Sequence, residues 1–433
     1  MKSNFYAAAA MLCLMASAPA FAQTVSPRPV VEDAAQAVSD HYWSEEIGAD
    51  IAADLRRANE AGEFDRYTDP RDLAAALTAR LQPRDAHFRV QWSAETAAPG
   101  GPPPGPPNRA EAEAAAARGA YGFARVEMLP GGVGYIDLRG FSNFSPGDAE
   151  TSPARRAADA AMSLLAGASA IIIDESDCPG GSPAMVGYLS AYFTPPGADI
   201  FNTFRSRRGE SSERNFVDPR GERRLDTPLF IITSGRTGSA CEAFAYTLGA
   251  ADRATIVGQR SGGAANPGGM GPLRDGFTMF ISGGSPVNPI TGRNWEGDGV
   301  PVDVEVASAD ALRRARVLAL EAILAGSPSE AAAREAQWAL DAVNAEGAAL
   351  PARTLQQYAG DYGARRIALE NGRLVLYRDR RPGLTLTPLG NDLFAVDYAA
   401  PLQRVRFERD SRGRVIALTQ TLVSGEEFRN LKQ

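Results

Sequence analysis

Apolar residues recur at three- and four-residue steps between Val31 and Leu81, at Val38, Tyr42, Ile47, Ile51, Leu55, Leu73, Leu77 and Leu81. That spacing gathers them on one face of successive helices and predicts a helical N-terminal region. Asp69-Pro70 offers a cap and a first-turn proline for the helix carrying Leu73. At Asp85-Ala86-His87-Phe88-Arg89-Val90 the period shortens towards two, the mark of a short strand. Prolines and glycines then dominate Ala97 to Pro107, which reads as a linker or loop.

Beyond the linker, short apolar runs alternate with helical patterns. Val133 to Leu138, Ala170 to Asp174, Leu229 to Ile232 and Ala254 to Gly258 read as strands. Ala154 to Leu165, a stretch ending at Tyr192, the segment from Ser239, and Ala309 to Leu324 read as helices. This alternation implies crossover connections and a mainly parallel sheet. Sites in such sheets form at the carboxyl ends of strands. Two loops lie there, Cys178 to Pro183 and Ser234 to Ser239. After a helix at Glu330 to Ala345, a period of two returns from Tyr358 onward. Asn371-Gly372 marks a hairpin in what reads as a small antiparallel sheet or barrel. The expected fold is therefore an α/β domain between an N-terminal helical subdomain and a C-terminal antiparallel β domain. Expected divisions are residues 1–22 (a leader), 23–95, 96–118 (the linker), 119–328 and 329–433.

The leader rests on Lys2, the apolar run Ala7 to Met15 and the small-x-small site Ala20-Phe21-Ala22, which predict a mature chain starting at Gln23. The apolar run is too short to span a membrane, so an exported protein, periplasmic or secreted, is expected. A net charge of −7 over 433 residues argues against a nucleic-acid partner. With so few histidines and cysteines, neither a metal nor a cofactor is expected.

Candidate chemistry centres on Ser239, at a strand–turn–helix junction. A hydroxyl at such a corner sits beside the free N–H groups of a helix start, which favour negative charge. The same letters, Ser239-Ala-Cys-Glu242, also spell a capping box. A serine nucleophile needs a base. Lysine occurs only at Lys2 and Lys432, so His41 or His87 must serve. His41 sits in an amphipathic pattern beside Tyr42 and Trp43, where packing explains it. Arg236, Arg260 and Arg274 lie near the serine or its partners in sequence and could meet a substrate carboxylate or simply be solvated.

Four segments, in order, resemble the C-terminal-processing peptidase family of serine proteases (peptidase family S41), in the branch of the tricorn core and the interphotoreceptor retinoid-binding modules. They are Asp85-Ala-His87; Ile171-Ile-Ile-Asp174 with Pro179-Gly-Gly-Ser182; Thr233 to Glu242 continuing into Arg253 to Gly258; and Asn294-Trp-Glu296-Gly-Asp-Gly-Val300. The resemblance implies a ClpP/crotonase-like α/β fold, Ser239 as nucleophile, His87 as general base and Glu296 as the acidic member. It implies an oxyanion hole from the N–H of Ala240 with one from Gly180 or Gly181. The implied activity is serine endopeptidase action on peptides or unfolded segments through an acyl-enzyme. The alternative is a non-catalytic module of the same fold holding an apolar ligand or peptide. The family's serine before the histidine is Ala86 here, so how Glu296 acts on His87 stays open. Cys178 and Cys241 would flank the implied oxyanion hole, where a disulfide could lock its two sides together.

Overall fold

The computed structural model describes residues 24–94, 108–144, 147, 150–213, 217–397 and 400–433. The leader and the run 97–107 lie outside these residues. The second half of the expected linker is instead a helix, Arg109–Arg118. Its Ala/Glu-rich sequence favours helix, and Asn108 Oδ1 caps it by accepting from Ala110 N–H at 3.0 Å.

Three N-terminal helices form as their spacing predicts: Pro27–His41, Glu45–Glu60 and Pro70–Leu81. Asp69 caps the third by accepting from Arg71 N–H at 2.8 Å. Their apolar faces meet in a core of Val30, Val38, Leu55, Leu73 and Leu77. That core is completed from far along the chain. Strand Arg89–Trp92 pairs antiparallel with Phe277–Ser282, which pairs with Gly268–Pro272. Phe277, Met279 and Ile281 point into the helical core, whereas Phe280 faces the other way, as the period of two requires.

The central sheet has six strands. Val133–Leu138, Ala170–Asp174, Leu229–Thr233, Thr255–Gly258 and Val304–Glu305 run parallel in chain order, and Phe123–Leu129 closes one edge antiparallel. Both faces are covered. Ile171, Ile173, Leu229, Ile231 and Ile256 pack with helices Pro153–Leu164, Pro183–Ser190 and Ala240–Ala250. Ala170, Ile172, Phe230, Ile232 and Val257 pack with Ser308–Ala325 and Glu330–Asn344. Burial on two faces explains why these strands read as continuous apolar runs. Each fully buried isoleucine or leucine contributes about 1.5–3 kcal/mol.

The C-terminal region is an eight-stranded antiparallel sheet whose strands pair in chain order from Gly360–Tyr362 to Glu427–Leu431. A bridge between Tyr362 and Lys432 joins the first strand to the end of the last, closing a barrel. Asn371 and Gly372 form the expected tight hairpin, both with positive φ (49° and 77°). The barrel packs beside helix Glu330–Asn344, where Arg404 pairs with Asp341 at 2.6 Å and stacks on Trp338. Among the described residues, no helix is long and apolar enough to cross a membrane.

Candidate active site

Strand Leu229–Thr233 delivers the chain to a turn held from several sides. Thr237 Oγ1 accepts from Ser234 N–H at 2.9 Å and donates to Glu175 O at 2.7 Å. Gly238 N–H donates to Cys178 O at 2.9 Å. Out of this turn Ser239 emerges with φ 51° and ψ −116°. A non-glycine residue in such backbone costs about 1–3 kcal/mol and persists only where its surroundings over-determine it. Glu242 is one such surrounding. Its Oε2 accepts from Ser239 N–H at 2.7 Å, the glutamate half of the capping box.

The glycine loop after strand Ala170–Asp174 lies directly against this corner. A Cβ added to Gly180 would fall 2.8 Å from Ser239 Cβ and 3.4 Å from Ala240 N, so glycine is what permits the approach. Gly181 is locked by its neighbour, for Ser182 N–H donates to Phe141 O at 2.8 Å and Phe141 N–H to Gly180 O at 3.0 Å. The N–H groups of Gly180, Gly181 and Ala240 donate to no protein acceptor among the described residues. Cys178 and Cys241 are bonded as a disulfide, Cα–Cα 6.0 Å, tying the glycine loop to the first turn of the serine helix.

His87 ends the N-terminal region. Its ring stacks on Phe280 at 5.5 Å and is largely covered. Its Nδ1 is buried without a hydrogen-bond partner among the described residues, and Asp85 Oδ1 lies 3.7 Å from it. Asp85 is buried and held by three donors: His87 N–H at 2.9 Å, Tyr42 Oη at 3.1 Å and Asn266 Nδ2 at 3.0 Å. Burial pushes its carboxyl up, but donors from His87, Ser282 and Asn266 outweigh this and leave it below the usual aspartate range. Glu296 meets the histidine segment through the main chain. Its Oε1 accepts from Ala86 N–H at 2.9 Å, and its Oε2 from Ala265 and Asn266 N–H at 2.6 and 3.2 Å. Burial, and then the charge of Asp85, push Glu296 above the ordinary glutamate value.

One loop joins the two halves. Glu242 accepts from Gly263 and Ala264 N–H at 2.6 and 3.0 Å, and Glu296 takes the next two N–H groups. Four consecutive amides therefore hang the serine and histidine segments on a common support. Burial raises the Glu242 carboxyl, partly offset by Ser261, Gly263, Ala264 and Ser239 donors.

Ser239, Ala240, Gly180 and Gly181 thus come together, as do His87 and Glu296. Asp85, His87 and Glu296 each place one ligand-type atom within 4.8 Å of the others, close enough to share a cation. Protein donors already engage every oxygen of both carboxylates, which fits a hydrogen-bonded acid pair better than a cation cage. Asp85, Tyr42 and Asn266 went unread as site residues. Only the Asp-x-His spacing hinted at the first, and nothing local marked the others. Two of the three arginines already face carboxylates, Arg236 with Asp177 and Arg274 with Asp33, while Arg260 donates to the Asp298 carbonyl at 3.4 Å. A cavity of about 680 Å³ between the barrel and Glu330–Asn344 is lined by none of Ser239, His87 or Glu296.

Residues 132–306 match the model of peptidase family S41. His87 lies ahead of the matched segment. Among solved structures, a putative peptidase from Parabacteroides merdae is 15% identical with TM-score 0.46, over 68% of this chain and 97% of its own. A lipoprotein from Streptococcus agalactiae is 14% identical with TM-score 0.43, over 69% and 97%. The photosystem II D1 C-terminal processing protease is 17% identical with TM-score 0.38, over 65% and 94%. At these identities and TM-scores the three likenesses assign no residue a role.

Proposed function

Residues 132–306 belong to peptidase family S41, and from that premise we propose that this chain is an exported serine endopeptidase acting on peptides or unfolded segments. Ser239 is the nucleophile and His87 the general base. Ser239 Oγ attacks the scissile carbonyl while His87 takes its proton. The oxyanion formed meets Ala240 N–H and an N–H of Gly180 or Gly181. Collapse breaks the C–N bond, His87 returns the proton to the leaving amine, and water then releases the acyl group by the same steps.

The observation that carries this reading is the corner itself. A strained serine sits against Gly180 and precedes Ala240, whose N–H groups, like that of the adjacent Gly181, donate to no protein acceptor among the described residues, and a disulfide and Glu242 hold the corner. Such backbone strain is costly and clusters where chemistry needs it, and N–H groups not spent on protein acceptors can receive a developing negative charge. The base assignment draws support from Lys432, whose ammonium donates to Gln357 O in the barrel at 2.8 Å. The disulfide favours an oxidising compartment, periplasmic or extracellular. The acidic chain favours no nucleic-acid partner.

The test is hydrolysis of a reduced, unfolded protein by the mature chain beside Ser239→Ala and His87→Ala. Both variants should fold as wild type and lose turnover. Undiminished turnover by Ser239→Ala excludes the reading. A folded wild type that turns over no substrate favours the binding module.

A further inference from the structure

Resting on that reading, we propose that Asp85 is the positioning residue that orients His87, while Glu296 holds the backbone beneath it. The assignment follows from which acceptors are spent. Glu296 Oε2 takes two backbone N–H groups and Oε1 takes Ala86 N–H, so this carboxylate grips the main chain at residues 86, 265 and 266. Among the described residues, its oxygens form no ion pair with the His87 ring, whereas Asp85 Oδ1 stands 3.7 Å from Nδ1. Asp85 Oδ2 accepts from Tyr42 Oη and Asn266 Nδ2, and Oδ1 accepts from His87 N–H, with the Ser282 hydroxyl a further donor beside the carboxylate. A carboxylate oxygen can accept twice. Asp85 Oδ1, which accepts from His87 N–H, therefore also faces a buried ring nitrogen with no partner among the described residues.

The chemical consequence is a choice of tautomer. An ionised carboxylate can only accept, so it requires the proton on Nδ1 and leaves the Nε2 lone pair for the Ser239 hydroxyl. Asp85 is suited to stay ionised, being fully enclosed but fed by three donors. The Phe280 ring under His87 limits how the imidazole can turn. Separations of this kind tighten when substrate fills a site. The groups facing the His87–Asp85 pair are Glu296, the Tyr42 phenol, whose proton burial and the Asp85 charge retain, Asn266 and Phe280. The N-terminal helices thereby reach the reaction, since Tyr42 caps the helix Pro27–His41.

The experiment compares Asp85→Asn, Glu296→Gln and Tyr42→Phe in the full mature chain by kcat, KM and the pH dependence of kcat/KM on an unfolded protein substrate. Asp85→Asn should lower kcat by about 10²-fold or more with little change in KM, because an amide can donate to Nδ1 and select the wrong tautomer. The acid limb of its profile should move to lower pH, a shift that a loss of folding alone does not cause. Glu296→Gln should cost less than about tenfold and leave that limb in place. Tyr42→Phe should retain most of kcat with a smaller loss, and provides the reading if Asp85→Asn does not fold: an unchanged rate there counts against the assignment. A wild-type rate and limb in Asp85→Asn, beside a collapsed Glu296→Gln, overturns it. Turnover surviving in Ser239→Ala instead defeats the underlying function, so the two failures are distinct.

Discussion

The buried glutamates around Ser239 and the donor-held carboxylates of the C-terminal barrel are treated in opposite ways, while near the same corner Asp85, whose burial is outweighed by its donors, and Asp177, paired with Arg236, are lowered as in the barrel. Around Ser239, burial first of all raises Glu175, Glu242 and Glu296. In the barrel, ion pairs and donors lower Asp392, Glu408 and Asp410: Arg409 acts on the first, Arg429 on the second, and the Arg414 backbone and side chain on the third. Asp397, half enclosed, is the barrel's exception and is raised by burial. The interiors differ too. The barrel is filled by Tyr358, Tyr362, Phe394 and Phe407 in ring contact, whereas in the α/β region Glu175 has two buried oxygens without a partner among the described residues. The barrel satisfies its carboxylates with arginines and donors, whereas the α/β region tolerates backbone strain at Ser239 and buried carboxyls with raised proton affinity.

Ser239→Gly breaks this contrast most sharply. Glycine accepts the φ of 51° without strain, so the variant should unfold at higher denaturant, by about 1 kcal/mol, while hydrolysis falls by about 10³-fold or more. Denaturant titration and turnover on one preparation check both halves. A loss of stability would mean that the corner is not strained. Phe407→Ala is the mirror image. Removing a ring that touches three others should cost about 3–5 kcal/mol, with turnover per folded molecule unchanged below the transition. A fall in that turnover would tie the barrel to the site.

Glu175→Gln gives the smallest effect, visible only against pH. Glu175 is buried under the glycine loop with no donor among the described residues, and desolvation, then Asp174 and Glu242, hold its carboxyl well above the ordinary value. The folded chain thus keeps this proton to higher pH than the unfolded chain. Its stabilising contribution is fully present below the ordinary glutamate value and is lost as pH rises through the raised one. Thermal unfolding of the two proteins should match near pH 4, with the variant gaining on wild type as pH rises. Parallel curves across that range would show that Glu175 finds a partner in solution.

Much of this was legible in the letters because the signals were local. Leu229 to Ile232 followed by Ser239-Ala-Cys-Glu242 announced a strand, a turn and a helix, and Asn371-Gly372 announced its hairpin. The scarcity of lysine narrowed the candidates for a base to the histidines before any geometry was known. The sheet beneath His87 was not legible. Gly268–Pro272 reads Gly-Gly-Met-Gly-Pro, which has no strand propensity, and forms a strand only because Phe277–Ser282 offers a ladder. Asp85 was visible as a neighbour of His87, but its partners, Tyr42 and Asn266, come from segments far apart in sequence. Ala86 looked like a missing link to Glu296. The link runs through its backbone N–H, which every residue but proline carries.

The most direct test of the central claim is to map the adduct left by a fluorophosphonate probe on the native mature protein. The account predicts one modified peptide, spanning the Thr233 to Glu242 turn with the phosphonyl group on Ser239, and none in His87→Ala at equal exposure. Modification at another serine, or equal labelling without His87, would contradict it.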